Sequence, residues 1–142
     1  MAGPLSAALG IDIPFADHLG LELEEYGSGR SRLAVTLAPE LLNSWRVAHG
    51  GVVMTLLDIA LSMAGRSSDP KATGAATVDL SLSFLAPGRG ERLVAEGRVL
   101  RAGRTLAFCE GEVLGGDGEL VAKGMGTFRM RRAHAAPTPK SE

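Results

Sequence analysis

The segment from Gly51 to about Arg66 constrains the fold more than any other part of the chain. Val52, Val53, Met54, Leu56, Leu57, Ile59, Ala60, Leu61, Met63 and Ala64 are apolar, and Asp58 is the one ionisable residue among them. Apolar side chains at these positions cover nearly every face of a helix. The spacing therefore predicts a helix enclosed by protein rather than one lying on a surface. Thr55 and Ser62 are the only other polar side chains in its middle. The run is too short for a bilayer, which takes about 20 apolar residues, and it carries an acid at its centre, so no membrane partner is expected.

What could enclose such a helix is read from the rest of the chain, where strand patterns dominate. In "TVDLSLSF", Val78, Leu80, Leu82 and Phe84 alternate with Thr77, Asp79, Ser81 and Ser83, which predicts one buried and one polar face. "APGRGE" breaks the chain; "RLVAEGRVLR" and "TLAFCEGEVL" follow around Ala102-Gly103, and "GGDG" leads into "ELVAKGMGTFRMR". Before the helix, Leu19, Leu21 and Leu23 alternate with polar or small residues, as do Leu33, Val35 and Leu37. The expectation is an α+β domain: two strands, one buried helix, then four strands, about six in all. Ala95, Gly97, Ala107, Gly111, Ala122, Gly124 and Gly126 fall at inward positions of the late strands. Glycine weakens a strand unless another backbone must come close, so these positions suggest a sheet wrapped around the helix; local twist or bulges are the other reading. "IPFADHLG" suggests a short helix, and the first ten or so residues are candidates for a mobile lead-in.

The chain of 142 residues has the size of one domain, taken as residues 1–132 with 133–142, "AHAAPTPKSE", as a loose tail. Its net charge of −1 argues against a general nucleic-acid binder. The single cysteine, Cys109, can form no internal disulfide, and no cluster of His, Cys and carboxylate has metal-ligand spacing. A cytoplasmic protein with no metal and no cofactor is expected.

The chemistry concentrates on the helix. A helix N-terminus offers free N–H groups and partial positive charge, which suit an anion or a developing oxyanion, and Gly50 and Gly51 would let a ligand reach them. A plain tight turn explains the same pair. Asp58 is either a satisfied core acid or a catalytic carboxylate facing a cleft, because a buried carboxylate must be hydrogen-bonded, paired or protonated. Eight residues along a helix are about 12 Å. One helix therefore cannot easily bring both groups to one carbonyl. Two helices related by a two-fold axis could, with Gly50 of one facing Asp58 of the other.

The pattern N-x5-HGG-x6-D, here Asn43, His49, Gly50, Gly51 and Asp58, resembles the hotdog-fold acyl-CoA thioesterases of the PaaI-like group. The likeness continues through "TVDLSLSFLAPGRGERLVAEGRVLRAGRT" and "DGELVAKGMGTFR", roughly residues 15 to 130. The resemblance implies a curved antiparallel sheet around one long helix, and a homodimer or tetramer with its sites between subunits. It implies hydrolysis of an acyl-CoA to a free acid and CoA, with a tetramer built as a dimer of dimers. Asp58 would be the nucleophile or the general base, and the Gly50 N–H the oxyanion donor. Asn43 and His49 would orient the thioester or the water, and Thr77 would help to position that water. Gly51 and Arg46 would contact substrate. Arg46 is a departure, since relatives often carry glycine there; it implies a different loop path or a side chain reaching the pocket. A thioester is already activated and its thiolate leaves readily, so a carboxylate and an oxyanion donor can suffice.

His49 has a plainer role open to it, as a helix cap or a backbone ligand. His18 and His134 lie in terminal segments and look incidental, and Cys109 reads as packing. Arg89, Arg92, Arg98, Arg101, Arg104, Arg129, Arg131 and Arg132 are candidates for the CoA phosphates, although most would simply solvate the sheet. Two alternatives stand beside hydrolysis: a non-catalytic acyl-CoA binder, and an enoyl-CoA hydratase or dehydratase. The latter usually needs a histidine several residues after the aspartate, and none follows Asp58 until His134.

Overall fold

In the computed structural model, which describes residues 2–133, the apolar segment forms one helix, α3, from Gly50 to Ser67. Leu56, Leu57, Ala60, Leu61 and Ala64 are fully enclosed along it. Its polar interior residues are absorbed locally: Thr55 Oγ1 donates to the Gly51 carbonyl at 2.8 Å and Ser62 Oγ to that of Ile59 at 3.0 Å.

The strands are β1 (Gly3–Pro4), β2 (Glu22–Gly27), β3 (Arg30–Thr36), β4 (Ala72–Phe84), β5 (Arg92–Ala102), β6 (Leu106–Leu114) and β7 (Leu120–Arg132). They form one antiparallel sheet in the order β1-β2-β3-β5-β6-β7-β4. Helix α3 contacts every strand from β2 to β7, so the sheet curves around it. This is the hotdog architecture, with seven strands rather than six because the two-residue β1 pairs with β2.

That extra strand corrects the reading of the N-terminus. Short helices α1 (Leu5–Leu9) and α2 (Pro14–Leu19) follow β1. Leu5 is wholly buried, and its N–H donates to the Leu21 carbonyl at 3.0 Å. An enclosed leucine and a ladder bond tie the lead-in down. At the other end, Ala133 follows β7 without regular structure, and the rest of the expected tail lies outside the described residues.

The small inward residues serve two purposes. A Cβ on Gly97 would lie 2.7 Å from the Ala60 carbonyl oxygen, so helix and sheet touch there. Ser31 donates to that same carbonyl at 2.5 Å from β3. Gly124 and Gly126 answer to the sheet itself: a Cβ at either would strike Leu82 of β4 or the Phe128 ring at 2.7 Å.

The reading of "TVDLSLSF" also needs correction. Thr77 pairs with Phe128 but Asp79 pairs with Thr127, so the register shifts at Val78. Residues directly opposite in an antiparallel pair share a face. Thr77 therefore lies on the inner face with Leu80 and Leu82, while Val78 is 59% exposed. A bulge of one residue reverses the alternation on one side of it.

Candidate active site

Asp58 is half-buried on the face of α3 that looks toward β4. Thr77 Oγ1 donates to its Oδ1 at 2.7 Å. Burial pushes the Asp58 carboxyl above the usual carboxylate range, and the Thr77 bond pulls the other way without cancelling it. The result is a carboxylate held in place and made more basic, with no cation paired to it among the described residues. A water or a carbonyl carbon beside it would meet a strengthened base or nucleophile.

The other pole of the site is the start of α3. His49 is the N-cap, and its Nδ1 accepts from the Gly51 N–H at 2.9 Å. That bond occupies one free donor of the first turn and leaves the imidazole proton on Nε2. The Gly50 N–H has no acceptor among the described residues, so it is the donor left to meet an anion. A Cβ on Gly50 would sit 3.6 Å from the Phe84 ring, so the space in front of it is filled on one side by that ring.

Asn43 organises the approach to the helix. Its Oδ1 accepts from Trp45 N–H at 2.9 Å and Val47 N–H at 3.3 Å, and its carbonyl accepts from Arg46 N–H at 3.0 Å. These bonds form a closed turn. Arg46 stands in it at φ 62°, the left-handed conformation that glycine adopts most readily. Its side chain is exposed and lines neither groove at the helix start.

Two grooves flank that start. One, of about 410 Å³, is lined by Gly50 and Asn43 and otherwise by apolar groups. The other, of about 470 Å³, is bounded by His49, Gly51 and Thr55 of α3 with Phe15, His18 and Leu19 of α2. His18 lines this second groove. No local sequence signal marks it, because the groove is lined by segments distant in sequence.

The candidate residues fall into two groups. Asn43, His49, Gly50 and Gly51 gather at the helix start, while Asp58 and Thr77 stand about 12 Å further along the axis. Among the arginines, Arg92 pairs with Glu24, Arg98 with Glu110 and Glu112, and Arg132 with Asp69. Arg89, Arg101, Arg104, Arg129 and Arg131 are exposed and in no ion pair among the described residues. Cys109 is fully buried, and burial pushes its thiol up to about 11, which keeps it un-ionised and inert.

A single antiparallel sheet wrapped around one long helix defines the hotdog fold. Residues 46–122 match the sequence profile of the thioesterase superfamily. The chain is 30% identical to the medium/long-chain acyl-CoA thioesterase YigI of Salmonella typhimurium, over 83% of this chain and 86% of that protein. Its fold superposes on a thioesterase family protein from Silicibacter pomeroyi with a TM-score of 0.80 at 27% identity, covering 85% and 91% of the two chains. It also superposes on the E. coli PaaI protein of the phenylacetic acid degradation operon, with a TM-score of 0.79 at 23% identity over 90% and 91%. The chain belongs to the thioesterase superfamily.

Proposed function

We propose that the protein is an acyl-CoA thioesterase in which Asp58 activates the attack and the Gly50 N–H of a second subunit receives the oxyanion. The observation that carries this is Asp58 itself: half-buried, more basic than usual, and hydrogen-bonded by Thr77 on a mostly apolar helix. As a general base, Asp58 takes a proton from water while the hydroxide adds to the thioester carbonyl carbon. The carbonyl oxygen becomes an oxyanion facing the Gly50 N–H, with the Asn43 amide beside it. Collapse breaks the C–S bond, releases CoA thiolate and leaves the free acid. As a nucleophile, Asp58 would displace the thiolate first, and water would then cleave the mixed anhydride.

The division of the site supports a homodimer. Strand β4 is a 13-residue sheet edge whose only charged residue is Asp79, and Val78 and Phe84 are 59% and 53% exposed beside it. Edges left this open invite pairing with another strand. Met54, at 43% exposure, continues the open surface on α3 between Gly50 and Asp58. Pairing of two such edges would bring the partner subunit's Gly50 toward Asp58. A tetramer, as a dimer of dimers, and a cytoplasmic location complete the reading.

The test is thiol release from a panel of aromatic and aliphatic acyl-CoAs, with Asp58→Asn beside the wild type. Activity lost in a folded variant of unchanged oligomeric state supports the reading; unchanged activity sinks it. Single-turnover hydrolysis in oxygen-18 water distinguishes the two routes. Label entering Asp58 marks the anhydride.

A further inference from the structure

We propose that Ser31 is a positioning residue of the active site: its bond to the Ala60 carbonyl holds α3 in the setting that brings Asp58 to Thr77. The inference rests on the thioesterase reading above and adds to it a residue on the far side of the helix. Ser31 lies on β3 and is 3% exposed. The other inward side chains of that strand, Leu33 and Val35, are apolar and fully buried. A hydroxyl in such a place must be bonded, and Ser31 Oγ donates to the Ala60 carbonyl at 2.5 Å. A helix carbonyl has a second lone pair to offer beside its helical bond. Gly97 of β5 leaves the room, since a Cβ there would lie 2.7 Å from the same oxygen.

From Gly50 to Ala64, two hydrogen bonds join α3 to the sheet among the described residues: Ser31 to Ala60 from β3, and Thr77 to Asp58 from β4. The strand order puts β5, β6 and β7 between these two anchors. On the helix, Asp58 and Ala60 are about 3 Å apart along the axis and about 200° around it. One bond therefore pulls from each side. The rest of the contact is apolar, through Leu56, Leu57 and Leu61 among others, and apolar burial has no direction. It holds the helix against the sheet, whereas the turn and height of the helix answer to the two directional bonds. A slip of about 1 Å would carry Thr77 Oγ1 out of reach of Asp58 Oδ1. A misplacement of that size at a reacting group costs up to about 100-fold in rate.

No charge complicates this arrangement. Burial and the Thr77 bond are what act on the Asp58 carboxyl. Asp79, the one charged residue of β4, pairs with Thr127 on the outer face. The inward positions of β5, β6 and β7 carry no charge, and Cys109 among them stays a thiol. Arg66 stands about two turns further along α3, over the Tyr26 ring of β2.

The test compares wild type with Ser31→Ala, Ser31→Cys, Thr77→Val and the double variant of Ser31→Ala with Thr77→Val. The Asp58 carboxyl is titrated by carbon NMR, assigned by its loss in Asp58→Asn, and the pH profile of acyl-CoA hydrolysis is measured beside it. Ser31→Ala should weaken the Thr77 bond, which favours the charged form. The carboxyl should then titrate at higher pH, and the acidic limb of kcat/KM should move with it. A fall in kcat of about tenfold with KM nearly unchanged is expected. The double variant should titrate as Thr77→Val does, because no bond is left to lose. Ser31→Cys, whose thiol is a weaker donor, should recover part of the shift. An unmoved titration in folded Ser31→Ala overturns the assignment, as do shifts that add in the double variant. If Ser31→Ala does not fold, Gly97→Ala crowds the same carbonyl from β5, and it must raise the titration too for the proposal to stand. The titration needs no turnover, so it decides on Ser31 by itself; absence of hydrolysis of every thioester would instead remove the thioesterase reading.

Discussion

The Thr77 hydroxyl reaches Asp58 at 2.7 Å because β4 bulges at Val78. Without the extra residue, Thr77 would lie on the polar face of the strand, opposite Leu80. The bulge places both on the face that looks at α3, and so gives the helix carboxylate its one side-chain hydrogen-bond donor among the described residues.

Removing that donor should change the pH profile in a predictable direction. The Thr77 bond favours the charged form of Asp58, so Thr77→Val raises a carboxyl that burial has already raised. The acidic limb of kcat/KM should move to higher pH, with a loss of roughly tenfold at neutral pH. A profile that falls in height without moving would assign Thr77 to packing alone.

Asp58→Asn should lose activity and gain stability. A carboxyl raised on folding favours the folded state fully below its unfolded value and loses that contribution as pH rises through the folded value. At neutral pH the buried charge is therefore a cost, which asparagine relieves. Thermal unfolding should show a midpoint higher by roughly 2–5 °C at pH 7, and a gap that narrows on acidification below the ordinary carboxylate range. A wider gap at low pH would contradict the sign.

Gly50→Ala separates chemistry from folding. The added methyl would meet Phe84 at 3.6 Å, an ordinary contact, so the midpoint should hold or rise slightly. The methyl narrows the approach to the oxyanion donor, and kcat should fall by roughly 10- to 100-fold. Equal losses of stability and activity would mean that the first turn was merely disrupted.

Subunit mixing tests the shared site. Gly50→Val and Asp58→Asn should each be inactive alone. Co-expressed at equal levels, they form mixed dimers with one site spared both changes, and about a quarter of wild-type activity should return. No recovery in a confirmed mixed dimer would place both residues of each site on one chain.

Gly97→Ala should be destabilising. Its Cβ would lie 2.7 Å from the Ala60 carbonyl oxygen, and neither backbone can yield cheaply. A loss of about 1–3 kcal/mol by denaturant unfolding is expected. A neutral result would mean that α3 and β5 are less tightly apposed.

Much of this protein is legible residue by residue. An apolar run without a polar face can only be an enclosed helix, and α3 is one. Alternating segments can only be strands with an inside, as Leu33, Val35, Leu93, Ala95, Ala107 and Cys109 show by their burial. The helix-start glycines and the enclosed Asp58 were legible from the residues themselves, and the resemblance to the family implied the roles of Asn43, His49 and Thr77. Other features depend on where distant segments meet. The bulge at Val78 follows from pairing with β7, the burial of Leu5 from docking onto the core, and the two grooves from loops and α2 closing over the helix start. Local pattern determines which residues want to be inside and how the backbone repeats. Register, close approach and the shape of empty space are properties of pairs of segments, so only the tertiary structure decided them.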